Sequence, residues 1–247
     1  MSFKDHFSSH AASYATYRPS YPPALAAWLA SIAPQTGVAL DVGAGSGQLS
    51  LLLAEHFAKV VATDPSAEQV ERAVRHPRID YRIARAEQCD LSDGSIDLLT
   101  AAQAAHWFDL PAFFAEARRL LKPGGAIALI SYAGMEHSSP IESLIDAFRL
   151  DTLEQYWPAE RRLVENGYED IDLPFEPIAA PPFFIEVQWP LAAMVGYIDT
   201  WSAIRAMEKE EGRAKFDRFL ADLATNWGKP DRIRRIRWPL AIVAGRR

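Results

Sequence analysis

The feature of this sequence that most constrains its fold is a glycine-rich turn behind a short apolar segment. Residues 38–42 read Val-Ala-Leu-Asp-Val, and glycines follow at positions 43, 45 and 47. Because glycine has no β-carbon, such a turn can adopt positive φ angles and bring its N–H groups close to a ligand. A second apolar segment, 59–64, ends in Asp64, whose carboxylate can accept both hydroxyl protons of a ribose. Together these features predict a strand–turn–helix unit that binds a nucleotide-like cofactor.

The spacing of the glycines distinguishes between cofactors. A dinucleotide fingerprint has glycines at its first, third and sixth positions, where the turn approaches a pyrophosphate. Here Gln48 occupies the sixth position, the third glycine comes one residue early, and Asp41 lies two residues before the first glycine. A buried carboxylate behind the turn disfavours a pyrophosphate. It can instead fix the amide groups of the turn, or bind an ammonium group through a water molecule. S-adenosylmethionine fits this pattern, and a nicotinamide dinucleotide is the alternative.

Composition excludes several classes of protein. A chain of 247 residues with 49% hydrophobic residues can bury one full core. The single Cys89 forms no internal disulfide, and no apolar run approaches the roughly 20 residues of a membrane helix, so we expect a soluble, cytoplasmic protein. A net charge of −6 provides no basic field for nucleic acid, and the basic stretch 229–237 is interpreted as a solvated loop. Neither nucleic acid nor a membrane is expected as a partner.

The order of elements predicts an α/β domain. Between residues 40 and 132, apolar strand-like runs alternate with helix-period runs, which is typical of βαβ units and a parallel sheet. Ser66 and Asp109 are predicted to cap two of the helices, and Pro123 with the glycines after it ends the second one. We predict a single domain, 1–247. It consists of an N-terminal lid (1–34), a cofactor-binding core (35–135), cap elements (136–227) that include one core strand near 183–189, and a final strand (228–247).

With these motifs in place, the chain resembles the class I S-adenosylmethionine-dependent methyltransferases of the methyltransferase type 11 domain. Three further segments, 14–22, 101–109 and 200–202, resemble the small-molecule branch that includes the yeast trans-aconitate methyltransferase-like enzymes. The resemblance implies a Rossmann-like fold with a seven-stranded, mostly parallel sheet whose last strand is antiparallel. It also implies helices on both faces, an N-terminal lid and a helical cap inserted toward the C-terminus.

The resemblance also implies a set of cofactor-binding residues at the turn and at the ends of the strands. This set is Tyr14, Tyr17, Arg18, Asp41, Gly43, Ala44, Gly45, Gly47, Asp64, Pro65, Gln69, Ala86, Glu87 and Gln103. Arg18 could alternatively bind a carboxylate substrate or form a surface ion pair. Arg85 replaces the acid or serine that is usual in its loop, which leaves the Ala86 amide to contact the adenine, and Glu87 is either a site residue or a solvated loop acid.

Substrate-binding residues are expected after the fourth strand, because ligands of open α/β sheets bind at the carboxyl ends of the strands. His106, Trp107 and Trp201 are the candidates, with His106 also the candidate catalytic residue. Histidine has an unperturbed pKa near 6.5 and can act as a general base. The alternative is that His106 only shapes the pocket or caps the following helix. Trp157, Tyr168 and Tyr197 of the cap either line an apolar pocket or serve as packing.

We therefore expect an S-adenosylmethionine-dependent methyltransferase that needs no metal and acts on a small-molecule acceptor as a monomer or homodimer. O-methylation by in-line displacement is expected, with a carboxylate or hydroxyl acceptor. A carboxylate needs no base at neutral pH, whereas a hydroxyl would benefit from His106. The alternatives are a protein that binds S-adenosylmethionine with little or no catalysis and a nicotinamide-dependent Rossmann oxidoreductase.

Overall fold

The structure, a computed structural model, describes residues 19–137 and 139–247. The predicted cofactor residues Tyr14, Tyr17 and Arg18 lie outside these described residues. Nine strands are found in the described part: β1 Val38–Val42, β2 Lys59–Asp64, β3 Ile79–Ile83, β4 Ile96–Ala102, β5 Leu121–Ser131, β6 Glu176–Ile178, β7 Phe184–Trp189, β8 Arg234–Pro239 and β9 Ala241–Arg246.

Seven of these strands form one sheet in the order β3-β2-β1-β4-β5-β9-β6. The strands from β3 to β5 pair in parallel, and β9 runs antiparallel to both of its neighbours. The central strands are apolar and buried along nearly their whole length, as expected for a sheet that is covered on both faces. This arrangement confirms the predicted Rossmann-like fold with its antiparallel last strand.

Helices pack around the sheet, and several of them follow β5 in the C-terminal part of the chain. They are α1 Pro23–Ile32, α2 Gln48–Leu53, α3 Ala67–Arg72, α4 Leu110–Leu120, α5 Pro140–Ala147, α6 Arg161–Glu165, α7 Leu191–Asp199, α8 Ser202–Glu211 and α9 Ala214–Trp227. Both predicted caps are present: the hydroxyl of Ser66 accepts the Gln69 N–H at 3.3 Å, and the carboxylate of Asp109 accepts the Ala112 N–H at 3.4 Å. No helix in the described ranges combines the length and apolar character that crossing a membrane requires.

The sheet differs from the prediction near the C-terminus. Residues 183–189 do not supply a core strand, because β7 pairs with β8 in a separate two-stranded sheet. The edge of the main sheet beside β9 is formed instead by β6, which has only three residues and contains a proline. The predicted final strand is also divided, since β8 ends at Pro239 and β9 begins at Ala241.

The basic stretch 229–237 is not simply a solvated loop. Part of it forms β8, where Arg235 donates to Glu186 of β7 at 2.7 Å across the ladder. Arg237, on the same strand, donates to Glu136 at 2.7 Å. Cross-strand pairs of opposite charge add to the burial of Ile185, Ile236 and Trp238 in stabilising this two-stranded ladder. The arginines therefore join the cap to the segment after β5.

Candidate active site

The glycine turn has the conformation that its sequence predicts. Gly43, Gly45 and Gly47 have φ angles of 65°, 55° and 89°, a region that other residues rarely adopt. A β-carbon on Gly43 would lie 2.5 Å from the β-carbon of Ala104, whereas a β-carbon on Gly45 would meet no heavy atom of the described chain within 4 Å. The turn is therefore tightly packed on the side of Ala104 and open at Gly45, where a ligand can approach the backbone.

Asp64 lies at the end of β2 and connects two backbone segments that surround this open space. Its carboxylate accepts the Gly45 N–H at 2.9 Å and the Ser66 N–H at 2.9 Å, one on each oxygen. Ala44 also donates its N–H to the carbonyl of Thr63 at 2.9 Å, so the turn is fixed to β2 at two points. Pro65 follows directly and Gln69 lies buried in the first turn of α3. The residues predicted around the ribose are thus brought together.

Asp41 is an internal anchor of the turn. Its side chain is only 1% exposed, and its two oxygens accept hydrogen bonds from the hydroxyls of Ser50 at 2.6 Å and Thr100 at 2.9 Å. Burial raises the pKa of Asp41 to about 6 against the opposing effect of these hydroxyls. The carboxylate thus holds β1, α2 and β4 together beneath the glycines. Its contact with an ammonium group of a ligand stays a prediction.

The loop after β3 contains Ala86 and Glu87. Ala86 is buried, while the Glu87 carboxylate accepts the Asp109 N–H at 3.0 Å and the Arg85 Nε–H at 3.2 Å. Partial burial alone would raise the pKa of Glu87, but these donors outweigh it and lower the pKa. Glu87 therefore fastens its loop to the start of α4, a structural task that the sequence did not indicate.

Gln103 directly follows β4, in the loop whose next residue, Ala104, packs against the cofactor turn. It has a φ of 54°, which is uncommon for a residue with a β-carbon and is often found at functional sites. Its N–H donates to Ile130 at 2.8 Å and its side-chain amide donates to the Tyr132 carbonyl at 2.6 Å. These bonds to the end of β5 hold Ala104 against Gly43 and fix the direction of the residues that follow.

His106 lies in the 3₁₀ turn Ala105–Trp107 and is nearly buried. Its Nδ1 lies 3.0 Å from the hydroxyl of Tyr168, and its ring packs 4.8 Å from that of Trp107. Burial, together with the positive charge of Arg161, lowers the pKa of His106 to about 3. The imidazole is therefore neutral at physiological pH.

The Tyr168 hydroxyl and His106 Nδ1 form one hydrogen bond whose donor depends on the imidazole tautomer. Burial raises the pKa of Tyr168, so the phenol keeps its proton at neutral pH. When that proton is donated to Nδ1, the neutral imidazole carries its own proton on Nε2, which is then a hydrogen-bond donor.

A partly enclosed cavity lies beside His106, and we call it the acceptor cavity. It is lined by Gln103, His106, Trp107, Tyr132, Trp157, Pro158, Arg161, Tyr197, Trp201 and Ser202. All three predicted substrate residues are on this wall, together with two of the cap aromatics. Tyr132, Pro158 and Arg161 were missed, because they carry no motif and approach the cavity only through tertiary packing. Ser202 lies in the segment 200–202 that the sequence singled out, but it was not named as a site residue. Within the described ranges no group of three acidic, histidine or cysteine side chains could hold a metal ion.

Comparison with known proteins agrees with this geometry. A methyltransferase domain family matches residues 40–129. A candidate methyltransferase from Dictyostelium discoideum is 36% identical over 211 residues, covering 84% of this chain and 80% of that protein. The solved structure of a candidate type II methyltransferase from Anaeromyxobacter dehalogenans is 44% identical with a TM-score of 0.87, covering 93% of this chain and 98% of that one. An uncharacterized methyltransferase from Mycobacterium tuberculosis is 39% identical over 126 residues, about half of either chain.

Proposed function

Because the chain belongs to the class I S-adenosylmethionine-dependent methyltransferases, we propose that this enzyme methylates an oxygen atom of a small molecule bound in the acceptor cavity. The observation that carries the proposal is the position of the cavity. It begins at Gln103, the residue that follows β4 and adjoins the glycine turn, and it is closed by cap residues such as Trp157 and Trp201. A cavity that is partly enclosed by side chains of the core and the cap suits a small acceptor rather than a polymer.

The residues of the turn fit S-adenosylmethionine. The open face of Gly45 leaves room for the methionine part beside Gly43, Ala44 and Gly47, and Asp64 lies where a ribose would find a carboxylate acceptor. Ala86 and Gln69 border the expected adenine side, and Tyr14, Tyr17 and Arg18 would close the site from the N-terminal segment. When bound, this cofactor supplies a methyl group on a sulfonium leaving group.

The enzyme's main task in such a reaction is to align the acceptor and to exclude water. Positioning can contribute about 7 to 11 kcal/mol toward lowering a barrier. The aromatic rings of Trp107, Trp157 and Trp201 line the cavity and would limit its water when an acceptor is bound, and His106 in its Nε2–H tautomer would donate to an acceptor oxygen. A neutral imidazole with a pKa of about 3 is a weak base. This favours a carboxylate acceptor, which needs no proton removed, over a phenol or alcohol.

The narrower resemblance to the trans-aconitate methyltransferase-like branch supports the same acceptor class and is part of the proposal. The predicted monomeric or homodimeric state and the absence of a metal requirement are also parts of the proposal.

Transfer of a labelled methyl group tests the proposal directly. The enzyme would be incubated with methyl-tritiated S-adenosylmethionine and matched panels of carboxylic acids, phenols and amines. We expect product from acids, with a label that mild base releases as methanol, because esters hydrolyse under conditions that leave ethers and methylamines intact. Base-stable product from the phenols or amines alone would contradict the carboxylate assignment. If cofactor binds but no panel is labelled, the protein binds S-adenosylmethionine without transferring its methyl group.

Asp64→Asn tests the cofactor site. Loss of a charge-assisted hydrogen bond costs about 1.5 to 3 kcal/mol, so we expect S-adenosylmethionine affinity to fall about 10- to 150-fold in calorimetric titration. The control is Asp231→Asn, which removes an exposed carboxylate far from Asp64 in the sequence. This variant should leave the S-adenosylmethionine affinity within twofold of the native value. Equal affinities for the two variants would remove Asp64 from the cofactor site.

A further inference from the structure

One side chain gives the acceptor cavity its charge. Of the described residues that line the cavity, Arg161 alone carries a formal charge at neutral pH, since His106 is neutral. The remaining walls are aromatic rings, a proline and uncharged polar groups. A buried cationic group surrounded by apolar surface attracts an anion far more strongly than one exposed to water, because the interaction is less screened. The charge of this wall therefore favours an anionic ligand over a cationic one.

The guanidinium of Arg161 is held in place from two sides. Its Nε–H donates to Glu165 Oε1 at 2.9 Å, and its central carbon lies 4.5 Å from the ring centroid of Trp157. The side chain is 22% exposed, so it lies at the boundary of the cavity rather than in solvent. In the described chain, no hydrogen-bond partner is found for its two terminal nitrogens. A planar pair of N–H donors thus remains for a ligand with two oxygens in one plane.

Both groups that hold Arg161 are themselves fixed by Arg149. The Arg149 guanidinium is almost fully buried and bonds to Glu165 and, at 3.0 Å, to Asp146. The carbonyl of Arg149 accepts the indole N–H of Trp157 at 3.0 Å. Arg149, Arg161, Asp146 and Glu165 together carry two positive and two negative charges, and Glu165 bonds Arg161 only through its Nε–H. The position of the guanidinium is therefore set before any ligand enters, which reduces the entropy lost on binding.

We propose that Arg161 binds an anionic oxygen group of the methyl acceptor and so determines that acceptors are anions. The inference rests on the proposed function, because it concerns the same cavity. Its chemistry is that of a planar carboxylate, and a phosphate group offers similar oxygens. A cationic acceptor would be repelled by the same guanidinium, which excludes amines protonated at neutral pH.

Binding of small probes tests this role without any need for turnover. Benzoate, phenyl phosphate and benzamide share one ring, which suits the aromatic walls, and differ in the charged group. Each would be titrated calorimetrically into the enzyme in the presence of S-adenosylhomocysteine. We expect Arg161→Gln to weaken binding of at least one of the two anions 10- to 100-fold, as expected for charge-assisted bonds, and to leave benzamide binding unchanged.

The chain offers a matched control in the next residue. Arg162 lies on the same helix, but its side chain is 84% exposed and pairs with Asp170 at 3.4 Å, and neither residue lines the cavity. Arg162→Gln removes the same charge and should change probe affinity by less than twofold. Arg161→Lys keeps the charge but loses the planar pair of donors, so we expect an affinity between those of the native enzyme and Arg161→Gln.

A second readout reports whether the cavity stays folded in Arg161→Gln. The charge of Arg161 lowers the pKa of His106, so its removal should raise that pKa in a histidine NMR titration. S-adenosylhomocysteine affinity should not change. Unchanged anion affinity in a folded Arg161→Gln variant would overturn the inference, and so would a loss of cofactor affinity without a loss of probe affinity, because Arg161 would then serve the cofactor carboxylate.

The two proposals fail in different ways. Anion binding that depends on Arg161, without methyl transfer to any acceptor, supports the inference and contradicts the proposed reaction. Methyl transfer to neutral acceptors at a rate that Arg161→Gln does not alter supports the reaction and overturns the inference.

Discussion

The cofactor turn and the acceptor cavity are adjacent, but they are built on different principles. The turn comes from residues close together in the sequence, 41–47 and 64–69, and its shape depends on backbone dihedral angles and backbone N–H groups. The cavity draws side chains from five separate segments between residues 103 and 202. Gly43 and Ala104 are where the two regions touch. The difference implies that the turn should respond to changes in backbone freedom and the cavity to changes in side-chain chemistry.

The largest effect is expected where the turn is most tightly packed. Gly43→Ala introduces a β-carbon at a φ of 65°, 2.5 Å from the β-carbon of Ala104. Strain of about 1 kcal/mol from the left-handed conformation adds to about 1 to 3 kcal/mol for overpacking. We expect urea unfolding to show a loss of roughly 2 to 4 kcal/mol, with reduced S-adenosylmethionine affinity in calorimetry.

Gly94→Ala separates the two contributions. Gly94 has a φ of 58°, and its β-carbon would meet no described heavy atom within 4 Å. This variant should lose only the strain of about 1 kcal/mol and keep its cofactor affinity. If Gly43→Ala and Gly94→Ala lose the same free energy of unfolding, close packing against Ala104 adds nothing to the cost at Gly43. The contrast between the cofactor turn and the acceptor cavity is then weaker than the structure implies.

The same contrast explains which parts of the molecule the sequence predicted. The central strands and the turn follow local rules: apolar runs of strand length, glycines where φ is positive, and Asp64 at a strand end. Residues such as Ser66 and Asp109 identify helix starts because capping is a local interaction. Each of these features can be found by examining fewer than about ten neighbouring residues, and each agrees with the structure.

Features that depend on distant partners were not predictable in this way. The three residues of β6 carry no periodicity, and β7 has a good strand pattern that does not specify whether it joins the main sheet or β8. Arg161 looks like any helical arginine until the cap places it beside Trp157 and His106. The part of the site that chooses the acceptor is therefore the part that local sequence describes least.

Asp41 gives the turn a pH dependence opposite in sign to that of His106 in the cavity, whose pKa is lowered rather than raised. Its folded-state pKa of about 6 lies above the ordinary value of 3.8, so burial destabilises the ionised form. The contribution of Asp41 to the unfolding free energy is thus fully favourable below about pH 4 and is lost as the pH rises through 6. The pKa difference corresponds to roughly 3 kcal/mol. We expect Asp41→Asn, which cannot ionise, to become progressively more stable relative to the native enzyme between pH 4 and 7.

Urea unfolding of both proteins at several pH values measures this difference. Ser50→Ala serves as a control, because it removes a hydrogen bond to Asp41 but keeps the titrating group. Its loss of stability should retain a pH dependence, since the ionised carboxylate then has one donor fewer. A constant difference between Asp41→Asn and the native enzyme across this range would mean that Asp41 titrates normally despite its burial.

The smallest effect should come from a change in the cavity that alters only one hydrogen bond. Tyr168→Phe removes the hydroxyl that is hydrogen-bonded to His106 Nδ1 and that, in the proposed site, keeps the imidazole proton on Nε2, at a cost to stability of about 1 kcal/mol. Nitrogen NMR of the imidazole should then show a mixture of the two neutral tautomers. If His106 serves as a donor to the acceptor oxygen, kcat should fall severalfold while cofactor affinity stays constant. Tyr156→Phe, which removes a hydroxyl bonded to Glu211 outside the cavity wall, should leave both kcat and the tautomer unchanged.

A rise in kcat for Tyr168→Phe would instead identify His106 as a base that the tyrosine restrains. Without the tyrosine hydroxyl, the imidazole proton can move to Nδ1, and the unprotonated Nε2 can then accept a proton from the acceptor.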